Sequence, residues 1–172
     1  MLPEKPSNLD LQFIEEQLGR KPRGVLEVSA RCKSGHPSVI KTKPLLDKEI
    51  FPTLYYLVCG KLIKKVFKLE SEGLIDKLEQ KINNDKKFKA LFLKAQEDYI
   101  KKRNKIAVNQ MKELCRAGSP NTPLPKTGIG GVGKLDKIKC LHAHLAHYLA
   151  TGNNPVGEIV RARLDSFPGN CP

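Results

Sequence analysis

Between Lys61 and Val108 apolar residues return at steps of three and four with hardly a break. Leu62, Val66 and Leu69 form one stripe, Gly73 interrupts, and Leu74, Ile75, Leu78 and Ile82 form the next. Beyond the turn at Asn83-Asn84-Asp85, the residues Phe88, Leu91, Phe92, Ala95, Tyr99 and Ile106 sustain a third. This is the period of an amphipathic helix, so the middle of the chain folds as successive helices, each with one face to be covered.

The flanking segments supply the cover. Asn8 or Asp10 caps a first helix through about Leu18, which carries Leu11, Ile14 and Leu18 on one face and stops at Gly19. Val25 to Ala30, Ser38 to Thr42 and Thr53 to Cys59 have the β-branched and aromatic content of strands, the first two joined by turn chemistry at Ser34-Gly35-His36-Pro37. The expected fold is α+β: a helix-dominated single domain over residues 1–172, with a small sheet from about 25 to 59 packed against three to four helices. Residues 117–133, rich in Gly, Pro, Ser and Thr, read as a flexible loop. A further helix carries Cys140 and ends near Gly152, and 158–172 reads as a loosely ordered tail, with a helical turn at Val156 to Leu164.

At 172 residues one domain buries roughly two thirds of its unfolded surface and needs no staple. No apolar run approaches the roughly 18 residues of a membrane span, and Met1 to Pro6 has no apolar signal region, so a cytoplasmic protein is expected. The net charge of +13 predicts a polyanionic partner, an anionic ligand or nucleic acid. Most of that charge is lysine from Lys61 to Lys105, mixed with glutamate and asparagine, which is also how the solvated face of long helices looks.

Chemistry is densest at Lys139-Cys140-Leu141-His142-Ala143-His144-Leu145-Ala146-His147, where a thiol and three of the four histidines fall within nine residues. On a helix, Cys140, His144 and His147 share a face and His142 points roughly the other way. Five cysteines without an export signal favour metal or thiol chemistry over disulfides. Cys32 at a turn, Cys59 at a strand end and Cys140 at a helix start belong to three elements that can converge on zinc or an iron-sulfur cluster, completed by His147 or His142, with His36 as a local alternative. No CxxC pair is present. Cys140 beside Lys139 and histidine is also a candidate nucleophile with His142 or His147 as its base.

Three further patterns carry less weight. Thr127 to Leu135 nearly spells a phosphate-binding loop, with Gly128, Gly133 and Lys134 in place, but Leu135 stands where a magnesium-binding hydroxyl is needed and no strand precedes it. Glu97, Asp98, Tyr99 and Arg103 read as an exposed helix face with ion pairs. Arg20, Arg23 and Arg31 ring the approach to Cys32 and can bind an anion.

Gly19 to Val25, Arg31-Cys32, Phe51 to Cys59, Gln96 to Tyr99, Gly130-Gly131, Lys139 to Ala143 with Ala146-His147, and Asn154-Pro155-Val156-Gly157 occur in an order that resembles the bacterial family catalogued as domain of unknown function 501. The resemblance implies no activity. It implies that Cys32, Cys59, Cys140, His142, His147, Arg20, Arg23, Arg31 and Tyr55 are pattern positions, whereas His144, His36, Cys115 and Cys171 are not. Ser34 replaces a second cysteine of the common form, and Val132-Gly133-Lys134 replaces Met-Pro-Asp. The leading expectation is a metal-binding protein using Cys32, Cys59, Cys140 and His147 or His142. A thiol-dependent enzyme acting on an anionic substrate through Cys140, and a basic nucleic-acid-binding protein, are the alternatives.

Overall fold

The computed structural model describes residues 4–46, 49–115 and 126–165. In chain order they form α1 (Asn8–Leu18), β1 (Val25–Arg31), β2 (Pro37–Thr42), β3 (Leu45–Leu46), β4 (Glu49–Ile50), β5 (Tyr55–Leu57), α2 (Gly60–Ser71), α3 (Leu74–Asn84), α4 (Lys86–Cys115), α5 (Leu141–Thr151) and α6 (Pro155–Asp165). The fold is α+β, as the sequence pattern requires.

β1, β2 and β5 make an antiparallel sheet in the order β1-β2-β5, and β3 pairs β4 in a separate ribbon. Adjacent residues of β2 face opposite sides. Val39 joins Leu54, Tyr55 and Leu57 in the large core with the apolar stripes of α2 to α6, whereas Ile40 packs with Ile14 of α1 and Val58. The sheet is therefore a middle layer, with α1 on one face and the other helices on the opposite one.

The helix punctuation follows the sequence with small shifts. The cap of α1 is Ser7, whose hydroxyl accepts from Asp10 N–H while the Asp10 carboxylate accepts from Ser7 N–H, a reciprocal capping box. Gly19 in the left-handed region at φ 65° ends that helix. α4 continues past Val108 to Cys115, with Ala107 and Met111 keeping its apolar face buried.

Two expectations about the C-terminal third change. The stretch expected to be a flexible loop lies outside the described residues up to 125, but from Lys126 onward it is held: Gln96 accepts from Ile129 N–H at 2.7 Å and donates to Leu135 O, and Ile129 is fully buried. The start of the expected tail is α6, because Val156, Val160 and Leu164 recur every four residues and enter the main core.

Candidate functional site

Cys140 does not stand on the helix it introduces. Its backbone is extended and it is the N-cap of α5, so it cannot share a helical face with His144 and His147. Those two rings turn into the core: His144 stacks on Phe92 with centroids 5.5 Å apart, and His147 stacks on Tyr55 and meets the edge of Tyr99. His142 goes the other way, to α2, where Nδ1 lies 3.2 Å from Glu70 Oε1 and Nε2 3.3 Å from the Ile63 carbonyl. Both partners are acceptors, so both bonds form together only when each ring nitrogen carries a hydrogen.

The metal arrangement expected of Cys32, Cys59, Cys140 and His147 or His142 is not formed: among the described residues no group of three or more His, Cys, Asp or Glu side chains is placed to hold an ion. The reason is in the elements. Cys32 sits in the turn between β1 and β2, where its N–H bonds the His36 carbonyl. Cys59 is buried at the N-cap of α2, and Cys140 lies at the start of α5 beside Gly130. His147 is packed between aromatic rings, and His142 is tied to Glu70. None of the three thiols is in a disulfide. The Cys115 side chain and Cys171 fall outside what is described.

What the histidines build instead is a buried polar node. Asn154 caps α6: its Oδ1 accepts from Gly157 N–H at 2.8 Å, which turns its Nδ2 toward Nδ1 of His144 and of His147, each at 3.1 Å. An amide nitrogen only donates, so His147 accepts at Nδ1 and carries its hydrogen on Nε2, whereas His144 Nδ1 also lies 3.3 Å from Asn154 Oδ1, to which it can donate. Burial holds their pKa values down, to about 4 for His144 and about 3 for His147, the latter lowered further by His144 and Lys102. Both Nε2 atoms are buried, with no hydrogen-bond partner among the described residues.

Two cavities flank β5. One, of about 270 Å³, has Cys140, His142, Ala143 and Gly130 on one side and Ile63 and Phe67 of α2 on the other. Gly130 has φ 71°, and a Cβ there would sit 3.6 Å from the Cys140 sulfur, so glycine keeps the thiol uncovered. The thiol makes no capping hydrogen bond. Burial pushes it above the ordinary cysteine range and the Glu70 carboxylate adds to the rise, against a smaller downward pull from the amides of Ala143 and His142 and the Lys139 ammonium. It is a neutral thiol, the opposite of the lowered state a nucleophile needs.

The other cavity, of about 450 Å³, brings together Arg20, Lys21 and Arg23 with Thr42 and Tyr56 over an apolar floor of Leu18, Ile40, Leu46 and Phe51. Among the described residues no carboxylate lines it. A Cβ on Gly24, at φ 62°, would collide with Leu46, so glycine lets the basic turn close against the β3–β4 ribbon. Arg31 is not part of it, contrary to expectation. Its guanidinium is fixed by Asp10 at 2.6 and 2.9 Å, by Glu4 at 3.4 Å and by the Gly35 carbonyl at 3.0 Å. That contact holds the Asp10 carboxyl well below the usual carboxylate range, even against its partial burial. Tyr56 borders both cavities.

A family model described as Protein of unknown function (DUF501) matches residues 28–162, most of the chain. The chain belongs to the DUF501 family. No curated protein and no solved structure matches it.

The segments of this DUF501 chain that carry the family resemblance now have physical roles. Asn154-Pro155-Val156-Gly157 is a helix start in which Asn caps, Pro takes the first helical position and Gly lets α6 approach α5, since a Cβ on Gly157 would collide with the His144 carbonyl and Tyr148. Phe51-Pro52-Thr53-Leu54 is pinned from α4. Tyr99 Oη accepts from Leu54 N–H at 2.7 Å and donates to the Pro52 carbonyl at 3.0 Å, and Arg103 donates to the carbonyls of Thr127 and Pro52. Tyr99 and Arg103 are thus buried, not on the exposed face their neighbours suggested, and desolvation lifts Tyr99 to about 12.

The phosphate-loop resemblance dissolves in the same way. Gly128 N–H bonds the Val132 carbonyl and Gly131 N–H the Gly128 carbonyl, so those amides close a tight turn upon themselves. No helix follows until Leu141. Most lysines of α2 to α4, among them Lys61, Lys77, Lys87, Lys94 and Lys101, are exposed, and none lines either cavity. No helix of the described residues is long and apolar enough to cross a membrane.

Proposed function

We propose that this DUF501 protein binds an anionic small molecule in the cavity of Arg20, Lys21 and Arg23. The observation that carries the reading is the cavity's composition: three cations from one turn and an apolar floor, with no carboxylate among the described lining residues, in a volume of about 450 Å³ that suits a ligand of ordinary metabolite size. Arginine presents a planar fork that matches a phosphate or carboxylate with two parallel bonds, and lysine adds a point charge. Leu18, Leu46 and Phe51 give an apolar body something to lie on, so the ligand class is an acid carrying an aromatic or aliphatic group.

Titration calorimetry with phenyl phosphate and benzoate, and with benzyl alcohol as the uncharged counterpart, tests this. Binding of at least one acid and none of the alcohol is expected. Replacing Arg20 and Arg23 together by alanine weakens the acid by more than tenfold, because each charge-assisted bond is worth roughly 1.5–3 kcal/mol. The Arg31→Ala variant, altered outside the cavity, keeps its affinity. Flat titrations with both acids would sink the reading.

A further inference from the structure

The pairing register of the sheet leaves a row of backbone groups facing the second cavity. Val58 N–H bonds the Ser38 carbonyl and Thr42 N–H bonds the Leu54 carbonyl, which makes 38/58, 40/56 and 42/54 the hydrogen-bonded pairs of this antiparallel ladder. The N–H and C=O of Tyr55 and Leu57 therefore point away from β2. β5 is the last strand in the order, and none of these four groups bonds another described residue. Tyr55 and Leu57 are nevertheless only 6% and 4% exposed. Buried backbone donors and acceptors are almost always satisfied, so an unsatisfied row beside an open cavity is a place where something else supplies the bonds.

We infer that β5 is a strand-addition site for an extended peptide segment of a partner protein, in which apolar residues alternate with acidic ones. The backbone of the segment pairs with Tyr55 and Leu57. Its alternate side chains enter the cavity of about 270 Å³ against Ile63, Phe67 and Ala143. Phe67, 60% exposed with its ring against the edge of His142 at 4.5 Å, forms the outer wall where such a side chain would rest. Charge selects the occupant. Among the described residues no carboxylate lines the cavity, exposed Lys64 lies one turn from Phe67 on α2, and exposed Lys139 flanks Cys140. Glu70, behind His142, is already bonded to that ring and to Leu141 N–H. A second copy of this chain is the less suitable occupant, because pairing two β5 edges would bring together two chains of net charge +13.

The test is a library of acetylated, amidated hexapeptides with apolar and acidic residues at alternating positions, screened at low salt against the full chain. The best binder is then followed by amide-proton NMR. The Tyr55 and Leu57 amides are expected to move downfield and to exchange more slowly. Methylating the peptide's alternate backbone nitrogens, or changing its acids to lysine, should weaken binding at least tenfold, as should the surface variant Phe67→Ser, which removes a 60% exposed ring whose described ring contact is the edge of His142. The inference is overturned if no member binds, or if N-methylated and parent peptides bind alike. It is equally overturned if Tyr55 and Leu57 are protected without peptide in a sedimenting dimer, which would make a second copy the occupant. The arginine cavity is unaffected by any of these outcomes, since phenyl phosphate titration reads it separately.

Discussion

Asn154 and His147 are joined at the heart of the helical layer by one hydrogen bond, Nδ2 to Nδ1 at 3.1 Å, and its direction is imposed from outside the pair. Gly157 N–H occupies the Asn154 carbonyl oxygen, so the amide nitrogen must face the imidazoles. A helix cap thereby fixes the tautomer of the buried His147 and binds His144 to the same amide. α5 and α6 are locked by the same side chain that starts α6.

Replacing Asn154 by alanine removes the cap and leaves Gly157 N–H and the Nδ1 atoms of two imidazoles without their partner. A lost cap costs about 1 kcal/mol and each stranded buried group roughly 1–3 kcal/mol, so a destabilisation of about 2–4 kcal/mol is expected after local relaxation. Urea unfolding at neutral pH measures it. A loss below about half a kcal/mol, the range of ordinary surface changes, would show that the node does not hold the helices together.

The same node sets how stability responds to acid. His144 and His147 are held neutral by burial, with pKa values of about 4 and about 3 in the fold, whereas an unfolded imidazole titrates near 6.5. The unfolded chain therefore binds protons first, and stability rises with pH through this range. Stability is fully present above the unfolded value and is lost as pH falls from about 6.5 toward 4, by about 2–3 kcal/mol per histidine at pH 4.5. The Asp10 carboxyl, lowered by Arg31, acts only below its ordinary value of 3.8 and leaves this window clear. Urea midpoints from pH 7.5 to 4.5, with imidazole NMR signals staying neutral to pH 5, check the prediction. A flat profile contradicts it.

Periodicity made the helices, the three-stranded sheet and the basic turn legible, because each rests on local spacing: Leu74, Leu78 and Ile82 for α3, alternating Val39 and Ile40 for β2. The site was less so. Helical geometry placed Cys140 with His144 and His147, but the helix starts one residue later, and a cap residue obeys no face. Arg31 resembled Arg20 and Arg23 in sequence, and only the fold brings Asp10 to it from α1. Glu70, Gln96 and Arg103 act across separations of 24 to 72 residues, which no local pattern encodes. The one available clue was Asn154-Pro155, a cap followed by the residue best suited to the first helical position.

Gly157 offers a packing test that leaves all polar partners in place. A methyl group there meets the His144 carbonyl and the Tyr148 side chain, so Gly157→Ala forces α6 away from α5. Overpacking of this kind costs about 1–3 kcal/mol, offset only in part by alanine's better helix propensity. Calorimetric unfolding should show a lowered Tm. A variant as stable as the parent would mean that the two helices separate freely.

The Cys140 thiol should be a slow nucleophile. Burial raises it above the usual cysteine range, so at neutral pH iodoacetamide labels Cys32, also half-buried, before Cys140, and labelling of Cys140 accelerates only at alkaline pH. Site-resolved mass spectrometry over a pH series reads both rates. Selective labelling of Cys140 at pH 7 would restore the catalytic-thiol reading.

Tyr99 touches neither cavity, yet its hydroxyl holds the segment that walls both. It accepts from Leu54 N–H and donates to the Pro52 carbonyl, and between those residues and their neighbours Phe51 lines the arginine cavity while Thr53 lines the thiol cavity. Tyr99→Phe keeps the ring against His147 and removes only the oxygen, stranding the Leu54 amide. Pro52 keeps a longer bond from Arg103 at 3.4 Å. A stability loss of roughly 1–3 kcal/mol is expected, together with a severalfold loss of phenyl phosphate affinity as Phe51 is released. Gly157→Ala separates the two effects, because it costs stability at a contact of α5 and α6, neither of which lines the arginine cavity, and should leave affinity unchanged. If both variants lower affinity equally, the loss reflects general loosening and Tyr99 has no positioning role. If Tyr99→Phe alone does, the long helix α4 sets the shape of the ligand site through a single hydroxyl.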